Sequence, residues 1–216
     1  MDTLSNTALF RGLTEEELAA ALTVLQAKER SYEKGTTILH AGGTTERMGL
    51  VLTGSVTVES NDLWGNRTLL AHVGPGQYFA ETYALLREET MLVDAVANED
   101  CRVLFLRPAA LATLPAVDYP WLPRLLSNLL CISAHKNLAL SGRSFHIAPK
   151  SARSRIMAYL NTVALQTHSK TFDIPFDRQQ MADYLNLERT ALSKELGRMR
   201  QEGILDFRKN HFILPE

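Results

Sequence analysis

Residues 176–214 read FDRQQMADYLNLERTALSKELGRMRQEGILDFRKNHFIL, and few folds can absorb such a run. Asp177, followed three residues later by Gln180, is a capping pair that opens a helix with Met181 and Leu185 turned inward. Asn186-Leu187 makes a tight turn, where asparagine tolerates the left-handed backbone that such turns often require. A second helix follows, with Leu192, Leu196 and Met199 on one face. Thr190, Ser193, Lys194 and Gly197 lie opposite, and Arg189 stands at its N-terminal end. Two short helices joined by a few residues, the second with a compact polar face, predict a helix-turn-helix. The first turn of the second helix is the part that enters a DNA major groove. Arg189 there can donate bidentately to guanine, and Lys194 can reach a base or a phosphate. The hairpin Leu205–Leu214 follows at once with Arg208, Lys209 and His211 at its tip, a wing that sets cations against phosphate. That hairpin disfavours the plainer reading of a solvated amphipathic helix. Arg178, at the start of the first helix, completes the DNA-contacting set.

Charge is distributed in keeping with this. Residues 144–216 hold 11 Lys and Arg against 8 Asp and Glu, a net of +3, whereas residues 1–143 hold 12 against 16, a net of -4. So small an excess points to a polyanion only with a motif behind it.

Upstream the texture differs. Thr14, with Glu17 three residues later, caps a short helix carrying Leu18, Ala21, Leu22 and Leu25. From about Glu29 to Arg107, β-rich runs (Met48–Leu52, Ser55–Glu59, Thr68–Val73, Arg102–Leu106) are separated by glycines, which predicts an antiparallel barrel or jelly roll. From Asp118 to about Ser141 a long helix is expected. Leu122, Leu126, Leu129, Ser133, Lys136 and Leu140 alternate by four and three, the spacing of a coiled-coil seam. Leu125, Ile132 and Ala139 add a second apolar edge, so the helix needs cover on two sides. Packing on its own barrel alone is one solution, and pairing with a second copy is the favoured one. Gly142–Lys150, with Pro149, reads as the hinge to a helical domain that includes the amphipathic run Arg153–Gln166. The fold class is α+β, divided at residues 1–117, 118–143 and 144–216.

These pieces together resemble the bacterial transcription regulators typified by the cyclic AMP receptor protein and FNR. The resemblance rests on LFRGLTEEEL, YEKGTTIL, LVLTGSVTV, VGPGQYFAE, the long helix and the winged helix-turn-helix, and it covers nearly the whole chain. It implies a cyclic-nucleotide-binding-like double-stranded β-helix as sensor, a dimerisation helix, and binding of a homodimer to two-fold symmetric double-stranded DNA. The partners it implies are DNA, a second copy of the chain, an unidentified small-molecule effector and RNA polymerase. Arg189 falls on the family's base-reading arginine. Thr190 stands where relatives often carry a base-reading acid, so their operator sequence does not transfer. Glu188 replaces the usual small hydroxyl cap, which leaves the capping of the recognition helix open.

The resemblance also frames the effector. In relatives that bind cyclic nucleotides, a glutamate takes the ribose 2′-OH and an arginine pairs with the phosphate. Here Phe79-Ala80-Glu81 matches the start of that cassette, and Val93-Asp94-Ala95-Val96-Ala97 fixes the register. Met91 then falls on the phosphate arginine, with Thr90 and Leu92 beside it. Methionine cannot neutralise a phosphate, so cyclic AMP is not the expected effector. Arg87 is placed on the exposed side of the loop. Candidate effector residues are Glu81, Thr82, Thr90 and Met91, with Ser133, Lys136 and Asn137 on the long helix; Glu81 alternatively caps nearby backbone amides.

Other classes find little support. A cupin-like ligand- or metal-binding barrel, whose helical domain mediates protein contacts, is the rival reading. It would need two histidines one residue apart plus a carboxylate, and the six histidines show no such spacing. An iron–sulfur cluster of the FNR kind needs an N-terminal cysteine group, and the two cysteines are Cys101 and Cys131. No catalytic constellation is present, and no cofactor is expected. With no apolar run of membrane-spanning length at either end and no cysteine framework, a cytoplasmic setting without membrane contact is expected.

Overall fold

The computed structural model describes residues 2–61, 67–115 and 117–215. It divides into two compact units, Met1–Lys136 and Asn137–Glu216.

The first unit opens with α1 (Asp2–Ser5) and α2 (Glu15–Val24). Thr14 and Glu17 close the expected capping box on α2. Eight strands follow: β1 (Lys28–Tyr32), β2 (Thr37–Leu39), β3 (Met48–Thr53), β4 (Val56–Asn61), β5 (Arg67–Val73), β6 (Tyr78–Phe79), β7 (Asp94–Ala97) and β8 (Cys101–Leu106). A short helix, α3 (Glu81–Leu86), sits between β6 and β7. All pairings are antiparallel, in two sheets ordered β1-β8-β3-β6 and β2-β7-β4-β5.

Strand alternation divides the apolar residues between two cores. Cys101, Val103 and Phe105 of β8 join Val51, Val56, Val73 and Phe79 between the sheets. Leu104 and Leu106, on the opposite face, join Met48 and Leu50 against the helices. The first sheet is therefore apolar on both faces at β3 and β8, which is why β3 reads as a continuous hydrophobic run. Gly49 lies under the Phe79 ring: a Cβ there would come within 2.3 Å of the ring, so only glycine fits.

After a 3-10 turn (Pro108–Thr113), α4 runs from Leu122 to Ile147. Sequence reading predicts a helix from Asp118 to about Ser141, so both ends move. Pro120 keeps the residue before it out of the helical region, and Pro123 suits a first turn, where no N–H is needed. Gly142 does not stop the helix; Pro149 follows its end. The expected seam also changes. Leu122 and Leu129 are buried with Leu125 and Ile132 in the core of the first unit. Leu126, Leu130, Leu138, Leu140 and Phe145 are the large apolar side chains of α4 left exposed.

The second unit comprises α5 (Ala152–Thr167), β9 (Thr171–Asp173), α6 (Arg178–Tyr184), α7 (Arg189–Gln201), β10 (Asp206–Arg208) and β11 (His211–Ile213). Ile156, Leu160, Met181, Leu185, Leu192, Leu196, Met199 and Phe212 form its core. The wing is a three-stranded sheet ordered β10-β11-β9, not a lone hairpin, because Phe172 of β9 pairs with Phe212. No helix among the described residues is long and apolar enough to cross a membrane.

Candidate nucleic-acid interface and sensor site

Asp177 and Gln180 form the expected capping box on α6. Asn186 takes a left-handed backbone (φ 53°) in the turn that follows. Arg155 braces this turn, donating to the carbonyls of Leu185 (3.2 Å) and Asn186 (2.8 Å). Glu188 is the N-cap of α7, and its side chain accepts no capping hydrogen bond. The start of α7 thus leaves backbone N–H groups open, beside a face that exposes Arg189, Thr190, Ser193 and Lys194.

The arginines of the second unit separate into two groups. Arg153 lies against α7, its Nε 2.6 Å from Glu195 and its terminal nitrogens 2.7 and 3.0 Å from the Glu202 carboxylate. That pairing holds the Glu202 carboxyl below the usual carboxylate range. Arg200 pairs with Asp206 at 2.7 Å, and Arg198 lies 3.6 Å from Glu195. Arg143 donates to the carbonyls of Tyr184 and Asp183, at 3.1 Å each. Arg178 stacks on the wing, its guanidinium carbon 5.0 Å from the centre of the Phe207 ring. Among the described residues, Arg189 and Arg208 have no such partner. Asp183, six residues before Arg189, accepts from Gln179 at 2.8 Å. Arg208 and Lys209 are exposed at the β10–β11 turn, as expected.

Sequence reading missed the fixed cations. Arg153 meets acids 42 and 49 residues away, and no local pattern announces such pairs. It also missed His146, buried where α4, α5 and α6 meet. Thr162 donates its own proton to the Ala158 carbonyl (2.9 Å), so its oxygen accepts from His146 Nε2–H at 2.9 Å. Nδ1 is then the acceptor for the Tyr184 hydroxyl, also at 2.9 Å. Burial lowers the imidazole pKa.

In the sensor unit, Glu81 begins α3 and is 5% exposed. Lys136 answers its charge: Nζ lies 2.6 Å from Glu81 Oε2 and donates to the Tyr78 carbonyl at 2.6 Å. Thr82 is exposed and reaches Glu81 Oε1 only at 3.5 Å. Met91 is buried, and its backbone exchanges 2.8 Å hydrogen bonds with Gly42 and Gly43. Thr90 is exposed, and Arg87 is exposed as expected, donating to the Ala109 carbonyl at 3.2 Å. Ser133 is half-buried on α4. Asn137 falls in the second unit, where it accepts from Ser141 at 3.3 Å. Of the expected effector set, hydrogen bonding joins Glu81 with Lys136 and, weakly, Thr82. Among the described residues no group of three or more His, Cys, Asp and Glu side chains is arranged to hold a metal.

Comparison with known proteins agrees with this architecture. The cyclic nucleotide-binding domain family matches residues 29–117, and the Crp-like helix-turn-helix domain family matches residues 154–216. The cyclic AMP receptor protein of Thermus thermophilus is 30% identical over 207 residues, covering 94% of this chain and 89% of that protein. The transcriptional activator protein FnrL of Cereibacter sphaeroides is 26% identical over 216 residues, covering 93% and 81%. Among solved structures, FixK2 of Bradyrhizobium japonicum superposes with a TM-score of 0.60 at 22% identity, covering 88% of this chain and 93% of that one. With both domain families in order and a relative at that identity over nearly its full length, the chain belongs to the cyclic AMP receptor protein and FNR superfamily of bacterial transcription regulators.

Proposed function

We propose that the protein binds a two-fold symmetric DNA site as a homodimer, reads its sequence through α7, and responds to an effector other than cyclic AMP. One observation carries the DNA reading. The arginines that brace the second unit are tied internally, whereas Arg189 on the first turn of α7 and Arg208 at the wing tip are free among the described residues. Thr190, Ser193 and Lys194 extend the readable face, and Lys209 joins Arg208 against phosphate. The exposed leucines of α4 support dimerisation.

The effector reading rests on Met91 and Lys136. A cyclic phosphate entering beside Met91 would meet a thioether where it needs a cation. Glu81 already holds an ammonium. Thr90 adjoins Met91 in the chain, Thr82 adjoins Glu81, and Ser133 precedes Lys136 by three residues on α4.

Gel-shift titration against genomic fragments tests the proposal. It expects a few fragments to be preferred over random DNA at moderate salt; equal binding to all would refute it.

A further inference from the structure

We infer that Arg178 is a positioning residue for the wing: it presents the tip cations to DNA and makes no phosphate contact of its own. The inference rests on the proposed role of Arg208 and Lys209 as phosphate contacts, and assigns the residue that sets where they stand.

Arg178 is the first residue of α6, directly after the Asp177 cap, so its backbone is fixed by the capping box. Its side chain runs across the wing and is half-buried there. The guanidinium carbon lies 5.0 Å from the Phe207 ring centre and 5.9 Å from that of Phe212. The two rings stack on each other with centres 5.8 Å apart. Nη2 donates to the carbonyl of Lys209 at 3.1 Å. Burial lowers the Arg178 pKa.

Lys209 needs such a hold. Its φ is 58°, a left-handed conformation that side-chain-bearing residues rarely adopt. The neighbouring Asn210 is anchored by a backbone hydrogen bond from Ile174 (2.9 Å) and by its own side chain to the Ile174 carbonyl (3.1 Å). Arg178 thus fixes one residue of the tip and β9's extension fixes the other. A planar guanidinium can stack on aromatic rings and donate to a carbonyl at once; a lysine ammonium lacks the fork and the flat face. Both terminal nitrogens of Arg178 already meet protein acceptors, Nη2 the Lys209 carbonyl and Nη1 the Met181 sulfur at 3.8 Å.

Four variants of the full chain separate this role from direct phosphate contact. Binding is measured to a random-sequence duplex, which phosphate contacts alone suffice to hold. R178K, which keeps the charge, should lose about as much affinity as R178A, and R178A should add less than two-fold to the loss of an R208A/K209A double variant. Trypsin should cut after Arg208 and Lys209 several-fold faster in R178K than in wild type, a reading that needs no DNA. If the wild type fails to bind DNA, the DNA-binding reading falls while the trypsin result still judges this one. Rescue of binding by R178K, an additive loss in the triple variant, or unchanged cleavage at the tip would each overturn the inference.

Discussion

Arg189 and Lys209 are both exposed cations of one unit, yet they are placed for different work. Arg189 projects from the first turn of α7 with no acid holding it among the described residues, so its fork is available to the base edge the proposal assigns it. Lys209 sits at the β10–β11 turn, where the proposed function sets it against the backbone of a duplex and away from its bases. Replacing Arg189 with alanine is expected to cost roughly 1–3 kcal/mol on the cognate site and to relax preference at one base pair per half-site. Replacing Lys209 should weaken cognate and scrambled duplexes about equally. Binding of both variants to both duplexes checks the pair; a uniform loss for Arg189→Ala would remove it as base reader. In the sensor, cyclic AMP at about 100 times a dissociation constant would add about 2.7 kcal/mol of stability to any protein that bound it. No melting shift is expected for this chain with millimolar cyclic AMP. A shift gained by Met91→Arg would support the register that places Met91 at the phosphate.

Among the elements, the junction around His146 has a titratable centre. Its neutral ring donates to Thr162 and accepts from Tyr184, with Tyr159 edge-on at 5.5 Å and Arg143 lying over the Tyr184 ring. The folded state holds the pKa below the ordinary imidazole value of about 6.5, so the unfolded chain takes the proton first as pH falls. Stability is therefore full above about pH 6.5 and declines as pH drops toward the lowered folded value. Melts from pH 7.5 to 5.5 should show this decline in wild type and a smaller one in His146→Gln; equal declines would exclude His146 as the cause. The same junction shows where sequence reading ends. Capping boxes at Thr14 and Asp177, the turn at Asn186 and the buried faces of α6 and α7 depend on neighbours within one or two turns, and they were legible. β1 was not, because its KERSY sequence alternates with no apolar face and is an edge strand held by β8. The wing's third strand was hidden for a like reason, since β9 precedes its partner β11 by about forty residues. In the sensor, Glu81 could be read from its motif, but Lys136 lies 55 residues away and only folding reveals it as the counter-ion.

For the whole molecule, the exposed side of α4 is the surface on which the proposed dimer would form. Leu129, part of the expected seam, is 6% exposed and belongs to the first unit's own core, so a charge there would test folding and not association. Leu130 is 70% exposed and Leu126, one turn earlier, 44%. Leu130→Glu is expected to shift sedimentation from dimer to monomer at micromolar concentration with little change in the melt; a wild-type monomer would refute the homodimer. Lastly, the internal pairing of Arg153, Arg178, Arg198 and Arg200 bears on how the protein meets its counterion-coated target. These side chains are already neutralised or buried against the fold, so they displace few condensed cations from a duplex. Lys194, Arg208 and Lys209 remain for phosphate, three per protomer. A dimer using all of them would show log K falling against log salt with a slope of about -5, as titration across ionic strengths would reveal. With that slope a fourfold rise in salt would take about a thousandfold from the affinity for every sequence alike, and discrimination is left to the few groups that touch bases.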